Sequence, residues 1–230
     1  LLKNVSSCSL NERCLTLNFF HARTQKYKYQ PHMDYRCVPY AETMKIVNNT
    51  LEVKPYPNED AEVYEEYANN SYREEVLQYF AMLKANKFVG TTSGPGHIAP
   101  MLGINTLLLN ATSLCPSIPA TDRCILGMKN IRLKKLENDL CPMEKLRYLL
   151  TDWTYLIFSG KIVVENLTSD EIENDLKDFE NFTKRERGSI WPFTLKLLTE
   201  SIQGLEIMGN VYYTERTMRN LSNILLEKDP

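Results

Sequence analysis

The sequence predicts an α/β fold, a Rossmann-like parallel sheet with flanking helices, followed by a helical extension at the carboxyl end. Short apolar segments alternate with segments of helical periodicity, which is the pattern of parallel strands joined by crossover helices. A strand at residues 87–90, a glycine-rich turn, a short helix stopped by Gly103 and a strand at residues 104–109 follow one another directly. This βαβ order favours a parallel sheet. We therefore predict one domain at residues 1–185 and a helical extension at residues 186–230.

The remaining elements are predicted from local patterns in the same way. Apolar runs predict strands, and amphipathic periodicity or a capping residue predicts helices. Further strands are expected at residues 14–20, 50–53 and 161–164, and further helices at residues 40–47, at residues 71–85 and from an N-cap at Ser169. The segment that follows Thr112 is expected to be a loop, because Pro116 and Pro119 interrupt it.

Composition excludes several classes of protein. Charged residues make up 24% of the 230 residues and the formal net charge is -2, so no basic excess indicates a nucleic-acid partner. No apolar run approaches the roughly 18 residues of a membrane-spanning helix. The six cysteines form no C-x-x-C pair, which argues against a zinc site and leaves both three disulfides and six free thiols open.

Location in the cell is less constrained. The expectation is a cytoplasmic protein, or one associated with the cytoplasmic face of a membrane. Asn-x-Ser/Thr sequons occur at Asn4, Asn48, Asn69, Asn110, Asn166, Asn181 and Asn220. If these sequons and the cysteines are used, the alternative is the secretory lumen.

The strongest candidate for chemistry is the turn after the strand at residues 87–90. Parallel strands direct their carboxyl ends into a crevice, and the helix that follows offers unpaired backbone N–H groups to an anion. Two glycines permit close approach of a diphosphate, and hydroxyl and imidazole groups can donate to it. The predicted binding residues are Thr91, Thr92, Ser93, Gly94, Gly96 and His97. An ordinary capped turn is the alternative, since the run is neither G-x-G-x-x-G nor a P-loop.

A second group of residues follows the first predicted strand. Arg23 stands just beyond this strand and offers a planar fork to a phosphate, although a surface ion pair explains an isolated arginine equally well. His21, His32 and Asp34 are titratable groups of the same region and are the candidate general bases.

Together these stretches resemble a known family. Asn18-Phe-Phe-His-Ala-Arg23, His32-Met-Asp-Tyr-Arg36, Tyr67-Ala-Asn-Asn-Ser71 and Phe88-Val-Gly-Thr-Thr-Ser-Gly94 occur in this order, followed by Leu108-Leu-Asn110 and Glu165-Asn-Leu-Thr-Ser-Asp-Glu-Ile172. Across about residues 14–180 the chain resembles a family of bacterial glycosyltransferases of GT-B architecture. The resemblance implies the carboxyl-terminal, donor-binding half of that fold.

Looser similarities point to the same site. The run Ser93-Gly-Pro-Gly-His97 is similar to the donor-phosphate motif of heptosyltransferases, and His21-Ala-Arg23 is similar to a motif of GDP-fucose-dependent fucosyltransferases. They imply that Arg23 and residues 92–97 contact the donor phosphates. The span between the first strand and the acidic segment at residues 58–66 is shorter than in the family, so the nucleotide and the sugar stay open.

The implied reaction transfers a sugar from a nucleotide sugar to the hydroxyl of a glycan or another acceptor. No Asp-x-Asp metal site occurs, so the resemblance implies a metal-independent enzyme without a further cofactor. A partner domain or subunit is expected to supply the acceptor half. The alternatives are a sugar-nucleotide epimerase and a non-catalytic binding or scaffold subunit with the same fold.

Overall fold

The computed structural model describes a large part of the chain. The described residues are 14–21, 40–51, 54–55, 82–83, 85–92, 94–112, 121–134, 140–149, 153–186, 188–201 and 204–226. Their strands are β1 (Cys14–His21), β2 (Lys54–Pro55), β3 (Ala85–Gly90), β4 (Asn105–Ala111), β5 (Cys124–Met128), β6 (Asn130–Leu133), β7 (Ile162–Glu165), β8 (Thr194–Ser201) and β9 (Gly204–Tyr213). Their helices are α1 (Tyr40–Leu51), α2 (Gly94–Met101), α3 (Pro142–Leu149), α4 (Trp153–Phe158), α5 (Ser169–Lys184) and α6 (Glu215–Leu226).

A mostly parallel sheet organises the described residues. Seven strands follow the order β2-β1-β3-β4-β5-β9-β8, and β6 and β7 form a separate antiparallel pair. Neighbours in the large sheet are parallel, except that β8 runs antiparallel to β9. The fold is therefore α/β with a parallel sheet and flanking helices, as the sequence predicts.

Two apolar clusters lie on opposite faces of this sheet. Successive strand residues alternate between them: Phe88 belongs to one cluster and Val89 to the other, as do Leu108 and Leu107. Helices α2, α3, α4 and α6 contribute to the first cluster, whereas α1 and α5 contribute to the second. Because both faces are covered, β4 is buried along almost its whole length, which explains its three consecutive leucines at residues 107–109.

Several predicted elements are confirmed. The strands expected near residues 14–20, 87–90, 104–109 and 161–164 correspond to β1, β3, β4 and β7, and the helix expected at residues 40–47 corresponds to α1. Gly103 ends α2 with a φ of 74°, and its N–H donates to the Pro100 carbonyl at 3.0 Å. The Ile104 N–H donates to the Ala99 carbonyl at 3.1 Å, so the helix closes in a Schellman motif.

The predicted helical extension at residues 186–230 is wrong over most of its length. Residues 194–201 and 204–213 form the strands β8 and β9, and only α6 is helical within this part of the described chain. Strand β9 pairs with β5, so strands from both sides of the predicted boundary at residue 185 belong to one sheet. The glycines Gly204 and Gly209 disfavour a helix here, and sheet pairing supplies the backbone partners instead.

The loop expected after Thr112 contains a strand that the sequence analysis missed. Strand β5 is buried at each of its five residues and lies in the middle of the sheet. Its Gly127 weakens the strand pattern, because glycine is depleted in strands. A Cβ at this glycine would lie 2.2 Å from Asp175 Oδ2, so the buried carboxylate of α5 requires glycine at that position.

Three smaller corrections concern element ends. Thr50 and Leu51 end α1 instead of beginning a strand, and Ala85 begins β3 instead of ending a helix. The N-cap of α5 is Thr168, not Ser169: its hydroxyl accepts the Glu171 N–H, and the Glu171 carboxylate accepts the Thr168 N–H at 2.8 Å. This reciprocal capping box fixes the start of the helix one residue earlier than predicted.

Two cysteines rule out one of the two disulfide alternatives. Cys124 is a buried free thiol whose pKa is raised by burial, and Cys141 is an exposed free thiol. With these two of the six cysteines unbridged, three disulfides are excluded. Within the described part of the chain, no helix has the length and apolar character needed to cross a membrane.

Candidate functional site

The carboxyl ends of β1 and β3 meet at the switch point of the sheet. Strand β1 pairs with β2 on one side and with β3 on the other, so the strand order reverses there. His21 at the end of β1 is aligned with Gly90 at the end of β3. Open α/β sheets bind ligands in the crevice outside such paired strand ends. The backbone therefore places these two strand ends side by side, and the crevice at this point stays a prediction.

Some predicted site residues are outside the described part of the chain. Arg23, His32, Asp34 and Ser93 belong to this group, and of His21 only the backbone is described. Their assignment to phosphate binding or to general-base catalysis stays a prediction. The described residues of the site are those of the turn and of the first turn of α2.

Thr91 and Thr92 continue β3 toward α2 and are almost enclosed. Thr91 is 2% exposed and Thr92 is 7% exposed. Both follow directly from the strand end that lies beside His21. A ligand at this edge can therefore contact only a small part of each threonine, whereas Gly94 is exposed.

The start of α2 carries the most accessible backbone of the turn. Gly94 is exposed, its φ is not positive, and no atom lies within 4 Å of an added Cβ. Neither backbone strain nor packing therefore accounts for glycine at this position. Gly96 is buried and His97 is half-buried in the same helical turn. A backbone without a side chain at Gly94 leaves room for a ligand to approach the peptide groups closely.

The electrostatics of this helix start favour an anion. The N–H groups of the first helical turn have no partner within a helix, and the helix dipole adds partial positive charge there. No acidic residue occupies the first turn of α2. Pro95 has no N–H, so the donors that this turn offers are the N–H groups of Gly94 and Gly96. This arrangement can bind a phosphate without a metal ion.

Metal ligands are not grouped in the described residues. Within those ranges, no three His, Cys, Asp or Glu side chains come close enough together to hold a metal ion. Charge compensation by backbone dipoles is the chemistry that the described part of the site offers.

Asn110, at the end of β4, is an unusual residue that sequence analysis did not assign to the site. It has a φ of 51°, is 1% exposed, and lies at a register shift between β4 and β5. Its Oδ1 accepts the Leu167 N–H at 3.0 Å, and its Nδ2 has no acceptor among the described residues. Asparagine tolerates positive φ better than most residues, which is the signal that the sequence offers. Because the side chain is buried, the Asn110 sequon is closed to glycosylation in the folded protein.

The segment before α5 covers the ends of β4 and β5. Asn110 holds Leu167, and the ammonium of Lys129, just beyond β5, donates to Asn166 Oδ1. The Asn130 amide then donates to the Glu171 carboxylate at 2.9 Å and 3.0 Å. These contacts give a structural explanation for the run at residues 165–172, which also carries part of the family resemblance.

A buried ion pair closes the same edge of the sheet beside β5 and β9. Arg216 donates to both carboxylate oxygens of Asp175, at 3.1 Å and 2.8 Å, and to the Met128 carbonyl at 2.6 Å. Asp175 is completely buried; burial raises the pKa of its carboxyl, and the Arg216 bonds offset that rise only in part. We assign this pair a structural role, because it ties α5 and α6 to the end of β5.

Two further carboxyl groups of α5, those of Glu171 and Asp178, have pKa values shifted in opposite directions. Burial by itself raises the pKa of Glu171, but hydrogen bonds from Thr168 and Asn130, with the charge of Arg216, lower it overall. Burial raises the pKa of Asp178, and the Glu215 N–H that it accepts at 2.7 Å offsets the rise only partly. Glu171 therefore stays ionised to lower pH than an exposed glutamate does.

An open depression lies at the other edge of the sheet. It has a volume of about 520 Å³ and is lined by Pro100, Met101, Gly103, Thr121, Asp122 and Arg123. These residues lie at the end of α2, directly after it or before β5, so the depression faces the amino ends of the strands. The Arg123 guanidinium already donates to Asn105 Oδ1 at 3.1 Å. This depression is separate from the candidate site at the carboxyl ends.

No family model, curated protein or solved structure matches the chain. The glycosyltransferase resemblance of the sequence motifs is therefore still a prediction, and the argument for function comes from the arrangement of the site.

Proposed function

We propose that the chain binds a nucleotide sugar and is the donor-binding half of a metal-independent glycosyltransferase. The observation that supports this most is Gly94, the exposed first residue of the helix α2 at the switch point. Neither backbone strain nor packing requires glycine at this position. A diphosphate needs close backbone approach and several N–H donors, and this position offers both.

In this proposal the site stabilises the diphosphate that leaves during sugar transfer. Negative charge develops on the leaving diphosphate, and preorganised donors placed at that charge lower the barrier. The N–H groups of Gly94 and Gly96 supply such donors, and Arg23 adds a positive charge. An acceptor hydroxyl needs a general base, for which His21, His32 and Asp34 are the proposed candidates.

A thermal-shift screen of the whole chain with UDP, GDP, ADP, CMP and their common sugar conjugates tests the proposal. A ligand that binds only the folded state stabilises it by about 2.7 kcal/mol at a concentration of 100 Kd. We expect one nucleotide series to raise the melting temperature. No response to any of these compounds would refute the proposal and favour the scaffold alternative.

Variants of Gly94 separate binding at this site from binding elsewhere. Because no atom lies within 4 Å of the added Cβ, Gly94→Ala and Gly94→Leu are expected to keep the melting temperature of the ligand-free protein. The larger side chain should abolish the ligand response and the smaller one should weaken it. Arg23→Ala should weaken it too, whereas Arg132→Ala, at an exposed arginine of β6, is the matched control. A response that survives Gly94→Leu would place the ligand elsewhere.

Product analysis then distinguishes the reactions. A transferase releases free nucleotide only when an acceptor is present, apart from slow hydrolysis. Conversion of the bound sugar to its epimer without an acceptor would identify the epimerase instead.

A further inference from the structure

The side-chain amide of Asn110 in β4 has a partner for its oxygen and none for its nitrogen. The Oδ1 accepts the Leu167 N–H at 3.0 Å, so the Nδ2 takes the opposite position on the amide. Within the described part of the chain this Nδ2 has no acceptor, although Asn110 is only 1% exposed. Buried polar groups are almost always hydrogen-bonded, because a buried donor without a partner destabilises the fold. The free protein therefore contains an enclosed donor that no described residue uses.

The backbone at Asn110 is unusual as well. Leu109 is aligned with Gly127, whereas Ala111 is aligned with Met128. Asn110 is therefore an extra residue between them, which makes a β-bulge in β4. Its φ of 51° lies in the left-handed region, which costs free energy for a residue other than glycine. Bulges redirect side chains and are frequent beside active sites, so the strained backbone and the unused donor both indicate a ligand contact.

Asn110 lies at the edge of the sheet from which α2 begins. The last aligned pair of β3 and β4 is Gly90 with Leu108, and Asn110 stands two residues beyond Leu108. Strand β3 continues past Gly90 into the turn that leads to Gly94. Asn110 and this turn therefore follow the carboxyl ends of neighbouring parallel strands, where open α/β sheets bind their ligands.

We propose that Asn110 is a ligand-binding residue whose Nδ2 donates to a phosphate oxygen of a diphosphate bound at the start of α2. A phosphate oxygen is a charged acceptor and forms stronger hydrogen bonds than a neutral one. The Leu167 N–H already fixes the plane of the amide, so little conformational freedom is lost when the donor is used. This contact rests on the proposed function, because it belongs to the same diphosphate site.

The enclosure of Asn110 sets a condition on this contact. Because 1% of the residue is exposed, a phosphate oxygen reaches the Nδ2 only after neighbouring atoms move aside. The segment before α5 covers the ends of β4 and β5, and its residues Asn166 and Thr168 are exposed. A ligand can select a conformation that is minor in the free protein, and a small outward movement of this segment would open the donor.

Calorimetric titration of the whole chain with UDP, GDP, ADP and inorganic pyrophosphate tests the contact. We expect Asn110→Asp and Asn110→Gly each to weaken binding by about tenfold or more, the effect of losing one hydrogen bond to a charged group. Both variants remove the Nδ2 donor, and both new residues tolerate a positive φ. Asn110→Asp keeps an acceptor for the Leu167 N–H, whereas Asn110→Gly adds no charge. A loss shared by the two variants therefore reports the missing donor.

Asn166→Asp is the matched control. Asn166 lies in the segment that covers this edge, and its Oδ1 accepts a bond from the Lys129 ammonium. The same change of charge at this exposed position should have a clearly smaller effect on affinity at physiological ionic strength, because salt screens exposed charges. Circular dichroism of each variant checks that it folds.

The outcomes distinguish failure of this contact from failure of the proposed function. Binding that Gly94→Leu abolishes and both Asn110 variants leave unchanged would refute the contact and keep the site. Equal losses in Asn110→Asp and Asn166→Asp, with none in Asn110→Gly, would indicate charge repulsion alone. Failure of both Asn110 variants to fold would assign the residue to the structure. No binding of any of these diphosphates by the wild type would overturn the contact together with the proposed function.

Discussion

Arg216 has the largest predicted effect on stability. Its guanidinium contacts both carboxylate oxygens of Asp175, the Met128 carbonyl, and Asn130 Oδ1 at 3.1 Å. Asp175 is 0% exposed, so no water can replace the lost contacts without rearrangement. Replacement by methionine keeps much of the side-chain volume and removes the charge and all these donors.

The expected loss is large relative to the stability of a domain. Breaking a buried ion pair by removing one partner costs about 3–5 kcal/mol. A single domain has a total stability of about 5–15 kcal/mol, so Arg216→Met should leave a folded but weakened protein. The cost should also depend on pH. Without Arg216 the pKa of Asp175 in the folded protein rises further. The variant therefore loses more stability as pH increases above the pKa that Asp175 has in the unfolded chain.

Urea unfolding followed by circular dichroism between pH 5 and 8 measures this loss. Arg219→Met is the matched control, because Arg219 lies on the same helix and its ion pair with Glu215 is on the surface. Surface pairs contribute about 0–1 kcal/mol, so the control should change little. The double variant Asp175→Asn, Arg216→Met should recover part of the loss. Equal effects of Arg216→Met and Arg219→Met, or no dependence on pH, would refute the reasoning.

Three further predictions use the same unfolding assay. Gly127→Ala should destabilise the fold by about 1–3 kcal/mol or more, because the new methyl group would overlap the Asp175 carboxylate; a neutral result would contradict the packing. Glu171→Gln should cost stability above about pH 5, and the difference from the wild type should shrink as pH falls through the lowered pKa of Glu171; a difference independent of pH would contradict the assigned charge contacts. Trp191→Phe should cost about 1–3 kcal/mol, because it removes the 2.8 Å bond from the indole N–H to a β9 carbonyl; an unchanged midpoint would exclude that bond as a stabilising contact.

The candidate site could be predicted in part because its features are local. The glycine-rich turn after residues 87–90 marks a strand end followed by a helix start, and the structure has β3 and α2 there. Alternation between apolar runs and helical patterns also determined the fold class. From the sequence we could expect only that two strand ends lie near each other, as in any doubly wound sheet. The pairing of β1 with β3 in the structure shows which residues are aligned, His21 with Gly90.

Features that depend on residues far apart in the chain could not be predicted in the same way. Asn110 takes its role from Leu167, and Gly127 takes its role from Asp175, more than forty residues later in each case. Neither residue lies in a local sequence pattern that indicates these contacts. A glycine inside a short apolar run even weakened the prediction of β5.

The sequence by itself determined that the chain alternates strands and helices around a parallel sheet, because hydrophobic periodicity reports how each segment is buried. Only the tertiary structure decided that residues 194–201 and 204–213 are strands and that β9 pairs with β5. Strand pairing satisfies backbone N–H and C=O groups through a partner elsewhere in the chain, whereas a helix satisfies them within the segment. For a segment such as this one, whose local pattern fits either state, the position of its distant partner selects the strand.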